Sequence, residues 1–273
     1  MVNRRRTQPE LDGLVLDMDL SLSLPTVNRG RVGNQSLLDV HGTVHGRPAG
    51  AFVSAGNDVA YAATPLIGTG DFVLSFWQKK AFATGGQIIV SQYKSGDAGR
   101  FLVQGLATGR LSFQLGAASE ITTDVILGDD VWTHVVLCYD ASETSVNVYI
   151  NGAFVETLTD TFGTMTQDAV AKFRVGAGND IGTVLQLDGL VRNVVLYNGI
   201  TCDAVDAKHI YDGYRISGQT LTGEWLFYEG TGGTVSDTSG SATDLTVFGM
   251  GWDVGTNGGD LNLTAAGRMF QGV

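Results

Sequence analysis

The sequence predicts an all-β antiparallel sandwich, and three observations carry that reading. Segments of period-2 alternation recur roughly every 8–15 residues through the middle of the chain. Glycine supplies 38 of the 273 residues while charged residues are only 16%, which suits tight turns and leaves too little Lys and Glu for helical bundles. The acidic residues are 22 Asp against 6 Glu, and Asp favours turns where Glu favours helices.

The chain opens on a basic arm, residues 1–10, carrying Arg4-Arg5-Arg6. No apolar stretch follows it, because residues 11–24 are broken by Asp12, Asp17 and Asp19, so no export signal is expected. No run approaches the 18 or so continuous apolar residues of a membrane span. Phe72-Val73-Leu74-Ser75-Phe76-Trp77 reads as the first clear strand, followed by 87–92, 101–104 and 110–115. Trp132-Thr133-His134-Val135-Val136-Leu137-Cys138-Tyr139 is the strongest run. It leads through the polar turn 140–145 into Val146-Asn147-Val148-Tyr149-Ile150-Asn151-Gly152, which predicts a hairpin. Further strands are expected over 172–175 and 187–197. A single short helix is expected over 202–214, where Val205, Ile210 and Tyr214 have helical spacing and Gly213 stands near the end.

An internal echo marks the tail. Leu11-Asp12-Gly13-Leu14-Val15-Leu16 parallels Leu221-Thr222-Gly223-Glu224-Trp225-Leu226. His41-Gly42-Thr43-Val44-His45-Gly46 parallels Asp244-Leu245-Thr246-Val247-Phe248-Gly249. The body between the echoes occurs once, which excludes a solenoid. The predicted organisation is the arm over 1–10, a sandwich over 11–215, and a β segment over 219–273 that repeats the opening of the domain. Such a segment carries strand edges that must pair with its own domain or with another chain.

The hairpin residues Trp132 to Asp140, followed by Val148-Tyr149-Ile150-Asn151-Gly152, resemble the central signature of laminin-G-like, concanavalin A-like jelly rolls. Residues 72–77 resemble the preceding strand of that family. Leu187-Asp188-Gly189-Leu190-Val191-Arg192-Asn193-Val194-Val195-Leu196-Tyr197-Asn198 resembles its closing strand, and 202–214 its short helix. The tail, with Trp225, Gly230-Thr231-Gly232, Asp237, Ser239-Gly240 and Trp252, is similar to the segment that opens such a domain. The resemblance covers about 11–215 plus this tail and implies a jelly roll; it says little about a ligand. In one departure, Arg192-Asn193 stands where the family usually has an acidic pair, so any role of that pair is lost.

The chemistry-bearing residues do not assemble into a catalytic, cofactor-binding or metal site. Retaining glycosidases need two carboxyls about 5–5.5 Å apart, which a strand supplies two residues apart. No Glu-x-Asp-x-Glu occurs, and Glu224 and Glu229 are an odd five apart, so enzymatic activity is not expected. His134 lies in the hairpin strand, where the resemblance implies a structural role. His41 and His45 share a face but lack a third ligand. Gly176-Ala177-Gly178-Asn179-Asp180-Ile181-Gly182 has no helix after it and reads as a turn. Cys138 and Cys202 are expected as free thiols, with one intradomain disulfide as the alternative. The expected cofactor is none. Calcium is the remaining candidate, through the loop residues Asn57-Asp58, Asn179-Asp180 and Asp188 implied by the resemblance. Trp77, Trp132 and Trp225 are expected to anchor the core, whereas Trp252, Tyr93 and Tyr61 are freer for sugar stacking.

A net charge of −11 excludes non-specific nucleic-acid binding. These features predict a non-enzymatic structural protein, a phage virion component such as a capsid decoration or tail-fibre protein. It would form a homo-oligomer or bind other virion subunits, fastened by the arginine arm and the C-terminal segment. Removing 219–273 is then expected to abolish assembly and leave a folded β core. The alternative is a glycan-binding adhesion module of a cell-surface or secreted protein, a reading that rests on fold analogy.

Overall fold

The computed structural model describes residues 48–53, 57–80, 85–93, 100–116, 120–159, 170–178 and 185–253. The arginine arm, the opening echo over 11–46 with His41 and His45, the Asn179-Asp180 pair and residues 254–273 lie outside the described residues.

Within them the strands form two antiparallel sheets accompanied by one helix. In the first sheet the order is β10 (Ala153–Thr159), β9 (Ser145–Ile150), β8 (Thr133–Asp140), β3 (Phe72–Lys80), β12 (Gly189–Asn198), β1 (Ala49–Phe52) and β16 (Gly251–Asp253). The short β13 (Gly223–Trp225) shares with β1 the edge of β12 that faces away from β3. The second sheet runs β14 (Thr234–Val235), β15 (Leu245–Phe248), β2 (Val59–Tyr61), β11 (Lys172–Val175), β4 (Gln87–Tyr93), β5 (Phe101–Gly105), β6 (Leu111–Leu115) and β7 (Ile121–Thr122).

Side-chain alternation sorts each strand between two environments. From β3 and β8, Phe72, Leu74, Phe76, Val135, Leu137 and Tyr139 point between the sheets. There they meet Phe101, Val103, Phe113, Phe173 and Val175 of the second sheet in one buried core. The intervening residues Val73, Val136 and Cys138 point outward, yet they are buried too, because α1 (Ala204–Tyr211) packs over them. Asp203 caps this helix, its carboxylate accepting from the Val205 and Asp206 N–H groups. Gly213, in the left-handed region at φ +85°, turns the chain away at the other end. The helix is therefore shorter than the 202–214 expected.

Cys138 and Cys202 form a disulfide, Cα atoms 5.7 Å apart, rather than the free thiols expected. They are 64 residues apart in sequence, and only the docking of α1 onto the outward row of β8 brings them together.

The described tail is woven into both sheets. β13 adds to β12, β16 adds to β1, and β14 and β15 extend the second sheet beyond β2. Trp225, Phe227, Val235, Leu245 and Met250 are fully buried in the main core, and Trp225 stacks on Phe173 with ring centroids 5.2 Å apart. Asp237 staples the tail, accepting from the Glu224, Ser239 and Thr243 N–H groups and from Ser239 Oγ. Burial alone would raise its carboxyl, but these bonds hold it below the ordinary value. Among the described tail residues Trp225, Phe227, Val235, Leu245 and Met250 fill space between the sheets, so a truncation at 219 removes part of the core.

Candidate functional site

The outward face of the second sheet carries a group of aromatic and cationic side chains. Register fixes which residues share it. Across the sheet, Thr246, Tyr61, Arg174, Ser91, Leu102 and Gln114 stand opposite one another on β15, β2, β11, β4, β5 and β6. One pleat along, Lys172 stands opposite Tyr93, and Arg100 reaches Tyr93 from just before β5. The alternation Lys172-Phe173-Arg174-Val175 explains the division: Phe173 and Val175 enter the core, and the two cations face outward.

Tyr61 and Tyr93 on this face each carry a cation. Lys172 Nζ lies 4.8 Å from the Tyr61 ring centroid, and the Arg100 guanidinium lies 5.1 Å from that of Tyr93. Arg174 is held between them, only 5% exposed, donating through Nη1 to the Tyr93 and Lys172 carbonyls at 2.6 and 3.2 Å. Arg100 Nη1 donates to Gln114 Oε1 at 3.3 Å. Tyr61 and Tyr93 stand on the two strands that flank β11, offset by two residues, which separates their Cα atoms by roughly 12 Å. Both rings are partly exposed. Two partly exposed tyrosine rings, each with polar groups beside it, can contact a sugar at their uncovered sides and bond its hydroxyls.

The calcium candidates lie elsewhere, at one end of the sandwich. Asn57-Asp58 and the segment leading to Asp188 do come together, with the Asn57 N–H donating to Gln186 Oε1 at 2.9 Å. Asp58 Oδ2 accepts the Val53 N–H at 2.7 Å, and Asp188 lies beside the buried Lys80. Burial pushes the Lys80 ammonium down to about 8 against the opposing pull of Asp129 and Asp188. Among the described residues no group of three or more His, Cys, Asp or Glu could hold a metal.

The residues weighed for catalysis are occupied structurally. Glu224 bonds Arg215 and Thr238, and Glu229 accepts the Ser236 N–H. His134 Nε2 pairs with Ser75 Oγ at 2.8 Å beneath Trp77 and Tyr211, and burial pushes its imidazole down to about 3. Trp225 anchors the core as expected, whereas Trp77 is buried beneath α1. Trp132 is half-buried, with the Arg192 guanidinium 3.7 Å from its ring centroid. Trp252, expected to be freer, packs on the core and donates to the Gly232 carbonyl. Tyr61 and Tyr93 are left as the freer aromatics. The sequence reading missed Arg100, Lys172 and Arg174. The signal was the outward phase of Lys172 and Arg174 in a strand already identified. No helix among the described residues is long and apolar enough to cross a membrane.

Residues 54–204 match the model of a laminin-G family of the concanavalin A-like lectin/glucanases superfamily. No curated protein sequence matches. Among solved structures, a provisionally assigned carbohydrate binding protein from Bacteroides ovatus superposes with a TM-score of 0.57 at 15% identity, over 77% of this chain. The chain spans only 60% of that protein's length. A heptameric SAP-like pentraxin from Limulus polyphemus superposes with a TM-score of 0.52 at 14% identity, over 76% of this chain and 96% of its own. At these identities the likeness is one of fold.

Proposed function

The chain belongs to the concanavalin A-like lectin/glucanases superfamily, and from that premise we propose a non-enzymatic attachment protein that holds a glycan on the outer face of its second sheet. The observation that carries the reading is the pair of tyrosine faces, Tyr61 and Tyr93, flanking the fixed Arg174. The carbohydrate binding named for the Bacteroides protein is consistent with it. The reading is non-enzymatic because Glu224, Glu229 and His134 are each committed to structural bonds. Titration against a glycan panel tests it. Binding should weaken at least tenfold in Tyr61→Ala and in Tyr93→Ala with the circular-dichroism spectrum unchanged. Binding indifferent to both substitutions, or none to any glycan, refutes it.

A second observation favours a subunit role in addition. Among the described residues strand β10 is the end strand of the first sheet, paired with β9 alone. On its outer side Phe154 is 52% exposed, leaning edge-on against Tyr149, and Val205 of the neighbouring α1 is 60% exposed. An end strand beside exposed apolar side chains suits contact with copies of the chain or with other virion subunits. We propose a phage virion as its setting, with the protein a decoration or tail-fibre component, and a secreted or cell-surface adhesion module as the alternative. A disulfide suits either setting outside the reducing cytosol. Light scattering should give a discrete oligomer that Phe154→Lys dissociates. A monomer at working concentrations overturns this part.

A further inference from the structure

We propose that α1 is a flap latched by the Cys138–Cys202 disulfide, and that reduction lifts it and bares an apolar row on the outer side of the first sheet. Little else holds the helix down. Of its eight residues only Ala207 and Ile210 are buried, and eight residues are too few for a helix that stands by itself. Half-buried Tyr211 rests its far end on Trp77, ring centroids 5.7 Å apart. Charged groups along it serve the helix: Asp203 takes the Val205 and Asp206 N–H groups, and Lys208 pairs with Asp212. Ordering this stretch costs backbone entropy at every residue, which two buried side chains offset only in part. The disulfide supplies the remainder by fixing Cys202, one residue before the cap, to Cys138 on β8.

The bounds of the flap are marked on both sides. Gly199 and Gly213 sit in the left-handed region, at φ +74° and +85°, and a side chain at either would meet open space, which suits them to a hinge. At each end the chain is tied down. The Gly199 N–H donates to the Asp71 carbonyl at 2.7 Å, and the Ile216 N–H donates to Tyr197 Oη at 3.0 Å. The stretch between these ties is what can leave. Val73, Val136 and Tyr149 lie beneath it, and Phe154, edge-on against Tyr149 and 52% exposed, already stands at its margin. Lifting the flap joins them into one apolar surface.

The reductant is a dithiol of the class that keeps a cytosol reducing. Its thiolate attacks Cys202 Sγ, on a residue 7% exposed against 1% for Cys138. The S–S bond breaks, and Cys138 leaves as a thiolate and takes up a proton. The second thiol of the reductant, giving up its proton, then attacks the mixed disulfide. It releases Cys202 as a thiol and closes the reductant's own disulfide, so two electrons pass from the dithiol to the pair.

Hydrogen exchange read by mass spectrometry tests this on the full chain, oxidised and after dithiothreitol, with thiol titration reporting the state of the pair. In the reduced chain the amides of 200–215 should exchange at least tenfold faster, while those of β3, β8 and β12 stay within about twofold and bis-ANS fluorescence rises. Cys138→Ser/Cys202→Ser should reproduce both changes without reductant and be indifferent to dithiothreitol. Flap amides that stay as slow in the reduced chain or in the variant overturn the proposal. Protection lost throughout the sandwich also overturns it, because the disulfide would then hold the whole fold rather than one flap. So does faster flap exchange without dye binding, or a disulfide that dithiothreitol leaves intact in the folded chain.

Discussion

Cutting the chain after Gly218 should leave no folded protein. The truncation removes Leu221, Trp225, Phe227, Val235, Leu245 and Met250, all buried. At roughly 2 kcal/mol for each buried side chain, about 12 kcal/mol of apolar stabilisation is lost, as large as the whole net stability of an ordinary domain. It also strips partners from β1, β2 and β12 and uncovers Phe173, on which Trp225 stacks. A single substitution isolates the same claim. Trp225→Ala opens a cavity and orphans the Thr243 carbonyl that the indole Nε1 bonds at 2.8 Å, for an expected cost of about 4 kcal/mol. Urea denaturation followed by far-UV circular dichroism measures it, with the exposed Thr246→Ala as a control expected within about 0.5 kcal/mol of the parent. The truncated chain should show no cooperative transition. A truncated chain that unfolds cooperatively near the parent midpoint, or a Trp225→Ala cost below about 1 kcal/mol, refutes the reasoning that the tail is core.

Two further outcomes follow from buried groups. His134 has a folded pKa of about 3, below its unfolded value, so the unfolded chain takes up the proton first and stability falls as pH drops from about 6.5 toward 3. Between about pH 7 and pH 5 the loss should be about 2 kcal/mol, and His134→Gln should flatten the urea midpoint across that window; an equally steep profile in the variant would falsify the assignment. The Cys138–Cys202 disulfide closes a loop of 64 residues, for which the chain-entropy relation gives about 4 kcal/mol. Thiol titration of the unreduced, denatured chain should find neither Cys138 nor Cys202 reactive, and Cys138→Ser/Cys202→Ser should lose 2–4 kcal/mol. Two reactive thiols at full stability would contradict it.

The middle of the fold was legible because its strands are long and their apolar residues alternate: β3, β8 and β9 show it without ambiguity. Strand β1, Ala49-Gly50-Ala51-Phe52, gives no such pattern. Its small residues are required by close approach, since a side chain at Gly50 would strike Phe227 and Met250. Strand β10, with Glu156 and three threonine or alanine positions on a sheet edge, is too polar to stand out. The docking of the tail was half visible, as strand edges in need of partners; which edges they meet depends on pairings such as Gly50 with Trp252, some two hundred residues apart. The disulfide was hidden for the same reason. On the candidate site, Tyr61 and Tyr93 could be named from the sequence, but that Lys172 and Arg100 cover them diagonally follows only from register.

Because β13, β15 and β16 lie so late in the chain and complete sheets begun by β1 and β2, neither layer can close while a ribosome still holds residues 223–253. Collapse of this molecule waits on these distant pairings and is slow in the way of folds governed by them. Until then the half-built layers expose long unsatisfied edges. A producing cell therefore has to shield the nascent polypeptide from its own copies, and overexpression should favour inclusion bodies unless synthesis is slowed or chaperones are supplied.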